Sequence, residues 1–403
     1  MEQYNNFYFV LGRENKISQK ELENVLASFD FGLNKDSVSI LSDHVLEIKL
    51  KVPKEKVADL INVLGGTVKI FEKVAPRDSN IASLLVAGNA GRKLLFGISN
   101  YSLEKIDTFK MALAAKKQVR QPVRVIDGKE DGKLSSAQSF QYKMDGDNIE
   151  LGIFKTGIGR LIAVQNIDLW TEHDYGKPKS DARSGMLPPK LARMMVNLAV
   201  SQVGNKKGEI RKENSPLKSH LSSLLLVDPF CGSGNILIEA LSVGCDIIGS
   251  DISEKAVADS GSNVDWFVKF KPSNLKANVF QADALCYDFG QINVDFVIVA
   301  EPYLGEPRNS KLRIEEEKEV KKDIKGLYTD FFQNLKLTTK SSNLKAICIV
   351  FPLFELANGK QLSIFNECVD FISELGYTTI CSPLVYGRDY QVVKREIVLL
   401  QLT

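Results

Sequence analysis

Histidine and tryptophan are scarce in this 403-residue chain, with three and two copies respectively. His44, His173 and His220 are widely scattered. The six cysteines, Cys231, Cys245, Cys286, Cys348, Cys368 and Cys381, all lie in the second half, and none forms a CxxC pair. Most sit among apolar neighbours, as in Ala346-Ile347-Cys348-Ile349-Val350. These patterns argue against a zinc site and against a disulfide framework, so no metal is expected. No apolar run reaches the roughly 18–20 residues that span a bilayer. The opening Met1-Glu2-Gln3-Tyr4-Asn5-Asn6 lacks the charged-then-apolar order of a secretory signal. The expectation is a cytoplasmic protein without a membrane partner.

A strong charge of either sign is missing too. Lys and Arg total 52 against 50 Asp and Glu, a net charge of +2. That balance argues against a polycationic tail, but a basic patch on one domain can hide within it. What is present is an ordinary globular composition, 44% hydrophobic and 25% charged. The length suggests two or three domains.

The first 75 or so residues read as a small α+β unit. Phe7–Leu11, Val45–Leu50 and Thr67–Ile70 are expected strands, and Lys54–Leu64 an amphipathic helix ended by Gly65-Gly66. Ser18 and Glu21 have capping-box spacing at the start of another helix. A second unit, residues 76–170, offers strands at Lys93–Ser99, Val123–Ile126, Asn148–Phe154 and Arg160–Val164. Its Leu103–Val119 helix is rich in Lys and Ala, and Ser135 to Gln138 open a short helix. Lys105, Lys110, Lys116, Lys117, Arg120, Arg124, Lys129 and Lys133 make this a basic surface that could track RNA phosphates; a solvated helix face is equally compatible.

Residues 171–186 read as a linker. From Leu187 onward, strands and helices alternate, with strands expected at Leu224–Asp228, Asp246–Asp251, Ala277–Gln281, Asp295–Ala300 and Ala346–Phe351. Helices are expected near Tyr328–Leu337 and Gln361–Leu375. Thr378–Pro383 and Arg395–Leu402 follow without a helix between them and form an antiparallel hairpin at the end of a parallel sheet.

The strongest chemical signal is Asp228-Pro229-Phe230-Cys231-Gly232-Ser233-Gly234-Asn235, between a strand and a helix. Its glycines permit a tight turn and close backbone approach to a ligand. No Gly-Lys-Ser/Thr follows, so it is not a P-loop, and Leu237 replaces the third small residue of GxGxxG. Asp251 ends the next strand, 23 positions after Asp228, where a carboxylate can accept ribose hydroxyls. Asp283 follows the third strand, and Glu301-Pro302-Tyr303-Leu304-Gly305 the fourth. Each acid alone could be a helix cap, the commoner role for Asp after a strand. Four at one edge of an α/β sheet mark a ligand site.

Those features together resemble the Rossmann-like S-adenosylmethionine-dependent methyltransferases. Asp181-Ala182-Arg183-Ser184-Gly185-Met186-Leu187-Pro188-Pro189-Lys190 is similar to the segment before strand one in the THUMP-containing tRNA guanine-N2 methyltransferases, which modify guanosine ten of tRNA. Tyr8-Phe9-Val10-Leu11-Gly12-Arg13 and Leu134-Ser135-Ser136-Ala137-Gln138 fit the ferredoxin-like and THUMP parts of those proteins. The resemblance implies an α/β fold: a ferredoxin-like domain (1–75), a THUMP-like RNA-binding domain (76–170), a linker (171–186) and a methyltransferase domain (187–403). The last would hold a seven-stranded sheet with a terminal antiparallel hairpin.

It also implies S-adenosylmethionine as cofactor and tRNA as partner, and leaves room for a small activator subunit. Asp228, Phe230, Cys231, Gly232, Gly234 and Asn235 would line the methionine part, covered by Met186, Leu187 and Pro188. Asp251 and Ile252 would meet the ribose, and Asp283 and Ala284 the adenine. Glu301, Pro302 and Tyr303 would face the target base. Lys110, Lys116, Lys117 and Arg120 of the basic surface are candidate RNA contacts, as is Arg388 in the turn before the last strand, where ordinary turn chemistry is the alternative. The amino-methylating pattern is Asp/Asn-Pro-Pro-Tyr/Phe, so Glu301-Pro302-Tyr303 is one proline short. Guanine N2 is a poor nucleophile that an acceptor must orient. Glu301 is the leading candidate, the alternative being a structural acid paired with Arg308 or Lys311. N6-adenine methylation of RNA or DNA, or a catalytically silent RNA-binding protein on the same fold, are the competing functions. A nicotinamide dehydrogenase fits least.

Overall fold

The computed structural model of the protein describes residues 4–28, 31, 33, 37–85, 93–128, 131–180, 186–203, 224–271, 274–340, 342–388 and 390–402. Lys129, His220 and the Asp181–Gly185 part of the expected linker lie outside the described residues. The chain folds as two compact units. One comprises Met1–Leu22 with Asp30–Thr171, the other Glu23–Phe29 with Glu172–Thr403.

In the first unit, eight strands form one sheet: β1 (Asn5–Leu11), β2 (Val38–Ser42), β3 (Val45–Leu50), β4 (Thr67–Ala75), β5 (Leu94–Asn100), β6 (Val123–Ile126), β7 (Ile149–Phe154) and β8 (Gly157–Val164). Their order is β2-β3-β1-β4-β8-β7-β5-β6. β4 pairs with β1 on one side and β8 on the other, so the expected boundary at residue 75 falls inside a continuous sheet.

Two local expectations differ. The helix expected over Leu103–Val119 runs only Thr108–Lys116. Leu103 holds a left-handed φ of 67°, and the Asp107 side chain accepts from Lys110 N at 2.9 Å, which starts the helix there. Ser18 and Glu21 make no capping box. The helix begins at Asn15, and buried Glu21 accepts from Gly65 N and Gly66 N, each at 2.8 Å. Ser135 and Gln138 do form a reciprocal box.

The second unit holds β9 (Leu225–Asp228), β10 (Asp246–Asp251), β11 (Ala277–Gln281), β12 (Phe296–Ala300), β13 (Leu344–Glu355), β14 (Gln361–Ser363), β15 (Tyr377–Thr379), β16 (Leu384–Tyr386) and β17 (Val393–Leu402). The order is β11-β10-β9-β12-β13-β17-β15, with β14 added to β13 and β16 to β17. β9 to β13 are parallel, and β17 runs antiparallel between β13 and β15. The final strand therefore inserts into the sheet while still pairing with β15, as the terminal hairpin requires.

Helices cover this sheet in the manner of a doubly wound α/β fold. The helix expected near Tyr328–Leu337 starts earlier and runs Ile314–Thr338. Its Tyr328, Phe331, Phe332 and Leu335 are buried against Ile298, Ile349 and Phe351. Tyr328 stacks on Phe351 with centroids 4.2 Å apart and donates to the Val350 carbonyl at 2.7 Å. Burial of each such side chain contributes about 1.5–3 kcal/mol. β9 lies between β10 and β12, so successive crossovers leave in opposite directions. The crevice beyond its carboxyl end is the topological switch point, where α/β sheets bind ligands.

Candidate active site

Parallel pairing fixes where the strand-end acids emerge. Asp228 and Asp251 are the last residues of β9 and β10, Asp283 lies two residues past β11, and Glu301 is the residue after β12. All four line one cavity of about 450 Å³, within the range of small-molecule sites. Met186, Leu187, Phe230, Cys231, Gly232, Asn235, Ile252, Ala284, Pro302 and Tyr303 line it as well. Pro188 and Gly234 are not among its lining residues. Pro188 instead caps the Pro189–Val200 helix, and Gly234 the Asn235–Val243 helix.

The glycine loop is held by its own backbone. Cys231 N donates to Ser250 O at 2.9 Å, and Gly234 N to Cys231 O at 2.7 Å. Gly232 and Gly234 take φ of 51° and 83°. A Cβ at Gly234 would also lie 2.6 Å from Ser260 Oγ. Asp251 fastens this loop to the next turn: Oδ2 accepts from Gly232 N at 3.0 Å and Oδ1 from Ser253 N at 2.9 Å. Asp283 Oδ1 accepts from Leu285 N at 2.9 Å. Local capping and cavity-lining thus coexist in the same acids.

Asp228 is 1% exposed, and its Oδ1 accepts from Phe230 N at 3.1 Å. Burial pushes its carboxyl well above the usual range, and the charges of Asp251 and Glu301 push the same way. Burial also raises the Cys231 thiol, which suits a packing role better than a nucleophilic one.

Glu301 pairs with neither Arg308 nor Lys311. Arg308 bonds Glu316 at 2.8 Å, and Lys311 approaches Glu355 at 3.6 Å. The partner of Glu301 is Arg395 of β17, whose Nε stands 2.5 Å from Oε1. Burial raises the Glu301 carboxyl, and Arg395 pulls it back. Tyr303 is 58% exposed at the rim, whereas Pro302 is buried. Tyr303 is thereby free to stack on a planar group entering the cavity.

Sequence reasoning missed the supports. Asn235 lines the cavity, but its Nδ2 donates to Leu187 O at 2.7 Å and its Oδ1 accepts from buried Lys177. It therefore positions the Leu187 segment. Asn263 reaches Ser233 O at 2.8 Å and Lys179 O at 2.9 Å, tying the glycine loop to the chain before it. Beneath the Asn235–Val243 helix, Glu239 accepts from Arg193 Nε at 2.7 Å and meets His173 Nδ1 at 2.7 Å. The signal in the sequence for this network is a lone charge inside each apolar helical run, Arg193 among Leu191 to Val196 and Glu239 among Ile236 to Leu241.

The basic residues are spread over both units. Lys110, Lys116, Lys117 and Arg120 are exposed on and just after the Thr108–Lys116 helix of the first unit. Arg388, in the second, is exposed and bonds the Tyr390 hydroxyl. Among the described residues, no helix is long and apolar enough to cross a membrane.

No family model matches the chain. The chain is 34% identical over 112 residues to the tRNA (guanine(10)-N2)-dimethyltransferase of Methanothermobacter thermautotrophicus. That match covers 27% of this chain and 28% of the relative. It is 32% identical over 134 residues to a protein named probable tRNA (guanine(10)-N2)-dimethyltransferase of Methanothermococcus thermolithotrophicus, covering 32% of this chain and 67% of the relative. Among solved structures, a possible methylase from Clostridium difficile 630 aligns over 98% of both chains at 14% identity and a TM-score of 0.48.

Proposed function

We propose that this chain, which belongs to the family of the tRNA (guanine(10)-N2)-dimethyltransferases, transfers methyl from S-adenosylmethionine to the exocyclic N2 of a guanosine in tRNA, at position 10. The observation that carries this reading is the convergence of Asp228, Asp251, Asp283 and Glu301 on one cavity at the switch point of the second sheet. When bound, the cofactor supplies a methyl carbon made electrophilic by its sulfonium. An acid-lined cavity suits that cation.

The chain's residues divide the remaining work. Asp251 sits where ribose hydroxyls are accepted, and the glycine loop lets the ligand approach the backbone. Asp283 and Ala284 flank the place for the base of the cofactor. Glu301 orients the guanine amine and receives its hydrogen bond, while Tyr303 stacks on the flipped-out base. The first unit, with ferredoxin-like (1–75) and THUMP-like (76–170) parts, holds tRNA by shape and phosphate contacts in the cytoplasm.

The test is to incubate the protein with unmodified tRNA and labelled S-adenosylmethionine, then identify the labelled nucleoside. N2-methylated guanosine supports the reading, and labelled N6-methyladenosine would replace it. Tight tRNA binding with no transfer would leave a silent RNA-binding protein. Asp251→Ala is expected to weaken cofactor binding by about 10- to 100-fold, the worth of one or two hydrogen bonds to a charged acceptor. Calorimetric titration checks this, and an unchanged affinity removes Asp251 from the ribose. Replacing Lys110, Lys116 and Lys117 together with Ala should lower the salt slope of tRNA binding by about 2–3. An unaltered slope would take that helix off the RNA.

A further inference from the structure

We infer that Arg395 is a positioning residue for methyl transfer: from β17 it locks the Glu301 carboxylate in place and in charged form, so that the amine meets a fixed acceptor. The inference rests on the reading of Glu301 as that acceptor.

The amino-methylating pattern places two prolines after its acid, and each fixes a φ angle. Here only Pro302 follows Glu301, and Tyr303 occupies the next position. Glu is also one methylene longer than the usual Asp or Asn, so its carboxylate has an additional torsion. Backbone stiffness and side-chain length both leave the acid less constrained, and Arg395 restores the constraint. The two side chains are 12% and 17% exposed, with Nε 2.5 Å from Oε1. Arg395 is itself fixed: it pairs in register with Pro352 of β13 and with Tyr386 of β16, and its guanidinium lies 5.9 Å from the Tyr386 ring.

Charge points the same way. Besides Arg395 on β17, the titratable groups facing Glu301 are Asp228 from β9 and Tyr328 from the Ile314–Thr338 helix. Burial first, and the charge of Glu301 among the lesser causes, raise the Asp228 carboxyl, and neither Asp228 nor Tyr328 can neutralise Glu301. Arg395 supplies the compensating charge, and its planar fork also orients a carboxylate in a way an ammonium does not.

The experiment compares wild type with R395M and R395K by the pH dependence of single-turnover methyl transfer and by carboxyl NMR of Glu301, assigned from the signal missing in E301Q. In R395M the Glu301 carboxyl should titrate at higher pH than in wild type. The acidic limb of the rate profile should move up with it, and the rate at neutral pH fall by about 10- to 100-fold. Cofactor affinity should stay within about threefold. R395K should return the limb towards its wild-type position but recover only part of the rate, and it serves the same comparison if R395M fails to fold. A Glu301 titration that neither variant moves overturns the inference. If wild type methylates no tRNA guanine, the functional reading fails, and the NMR arm still decides whether Arg395 holds the charge on Glu301.

Discussion

Glu301→Gln is expected to slow methyl transfer to guanine N2 by about 10²–10⁴-fold, the usual contribution of a positioned acid–base group. Cofactor affinity should stay within about threefold, because Asp251, Asp283 and the glycine loop remain in place. The amide can still accept a hydrogen bond through its oxygen, so the amine is partly oriented. It cannot take up the proton that leaves nitrogen as the methyl bond forms. The active form is the carboxylate. Burial raises the Glu301 carboxyl above its ordinary value, against the opposing pull of Arg395. The wild-type rate should therefore fall as pH drops through this raised value, and E301Q should lack that limb. Rapid-quench single turnovers across pH measure both effects. A variant with the wild-type rate and profile would remove Glu301 from the chemistry.

The chemistry-bearing turns were legible because each is a local pattern. A strand, Asp228, two glycines and a helix lie within one short run, and the later acids follow apolar strands at regular intervals. What stayed hidden joins residues far apart in sequence. Glu301 and Arg395 are separated by 94 positions, and Arg395 reads simply as the polar start of an apolar strand. Glu21 has the spacing of a capping acid, yet it caps the Gly65-Gly66 turn 44 positions away. β2 carries no strand signal of its own, because its residues are half-buried or exposed and Val38–Ser42 lacks a clean alternation. The first half of the Ile314–Thr338 helix carries little apolar signal because Val320 and Ile324 are spaced among charged residues, yet both pack with Tyr328 to Leu335 against the core. Tertiary partners decided each of these cases.

Glu239→Ala should lower the stability of the second unit by about 3–5 kcal/mol, the cost of removing one member of a buried ion pair. Arg193, Glu239 and His173 are each 1% exposed. Glu239 joins three segments: the Glu172–Gly176 turn through His173, the Pro189–Val200 helix through Arg193, and its own Asn235–Val243 helix. Arg193 also donates to Ser242 Oγ at 2.7 Å, a neutral contact that does not replace the carboxylate. For a unit of this size the loss corresponds to on the order of 10 °C in melting temperature. Burial works against the charged carboxylate, but Arg193 and His173 outweigh it and hold Glu239 below its ordinary value. Its stabilisation is therefore complete above the ordinary glutamate range and disappears as pH falls through the lowered value, so the gap between wild type and E239A should narrow in acid. The same helix begins at Asn235, which holds Leu187 over the cavity. Cofactor affinity should consequently weaken in E239A even below its melting temperature, although Glu239 does not line the cavity. Calorimetric melts at neutral and acid pH, with cofactor titration at low temperature, test this. A melting temperature within about 2 °C of wild type at neutral pH would show that these segments do not depend on the buried ion pair.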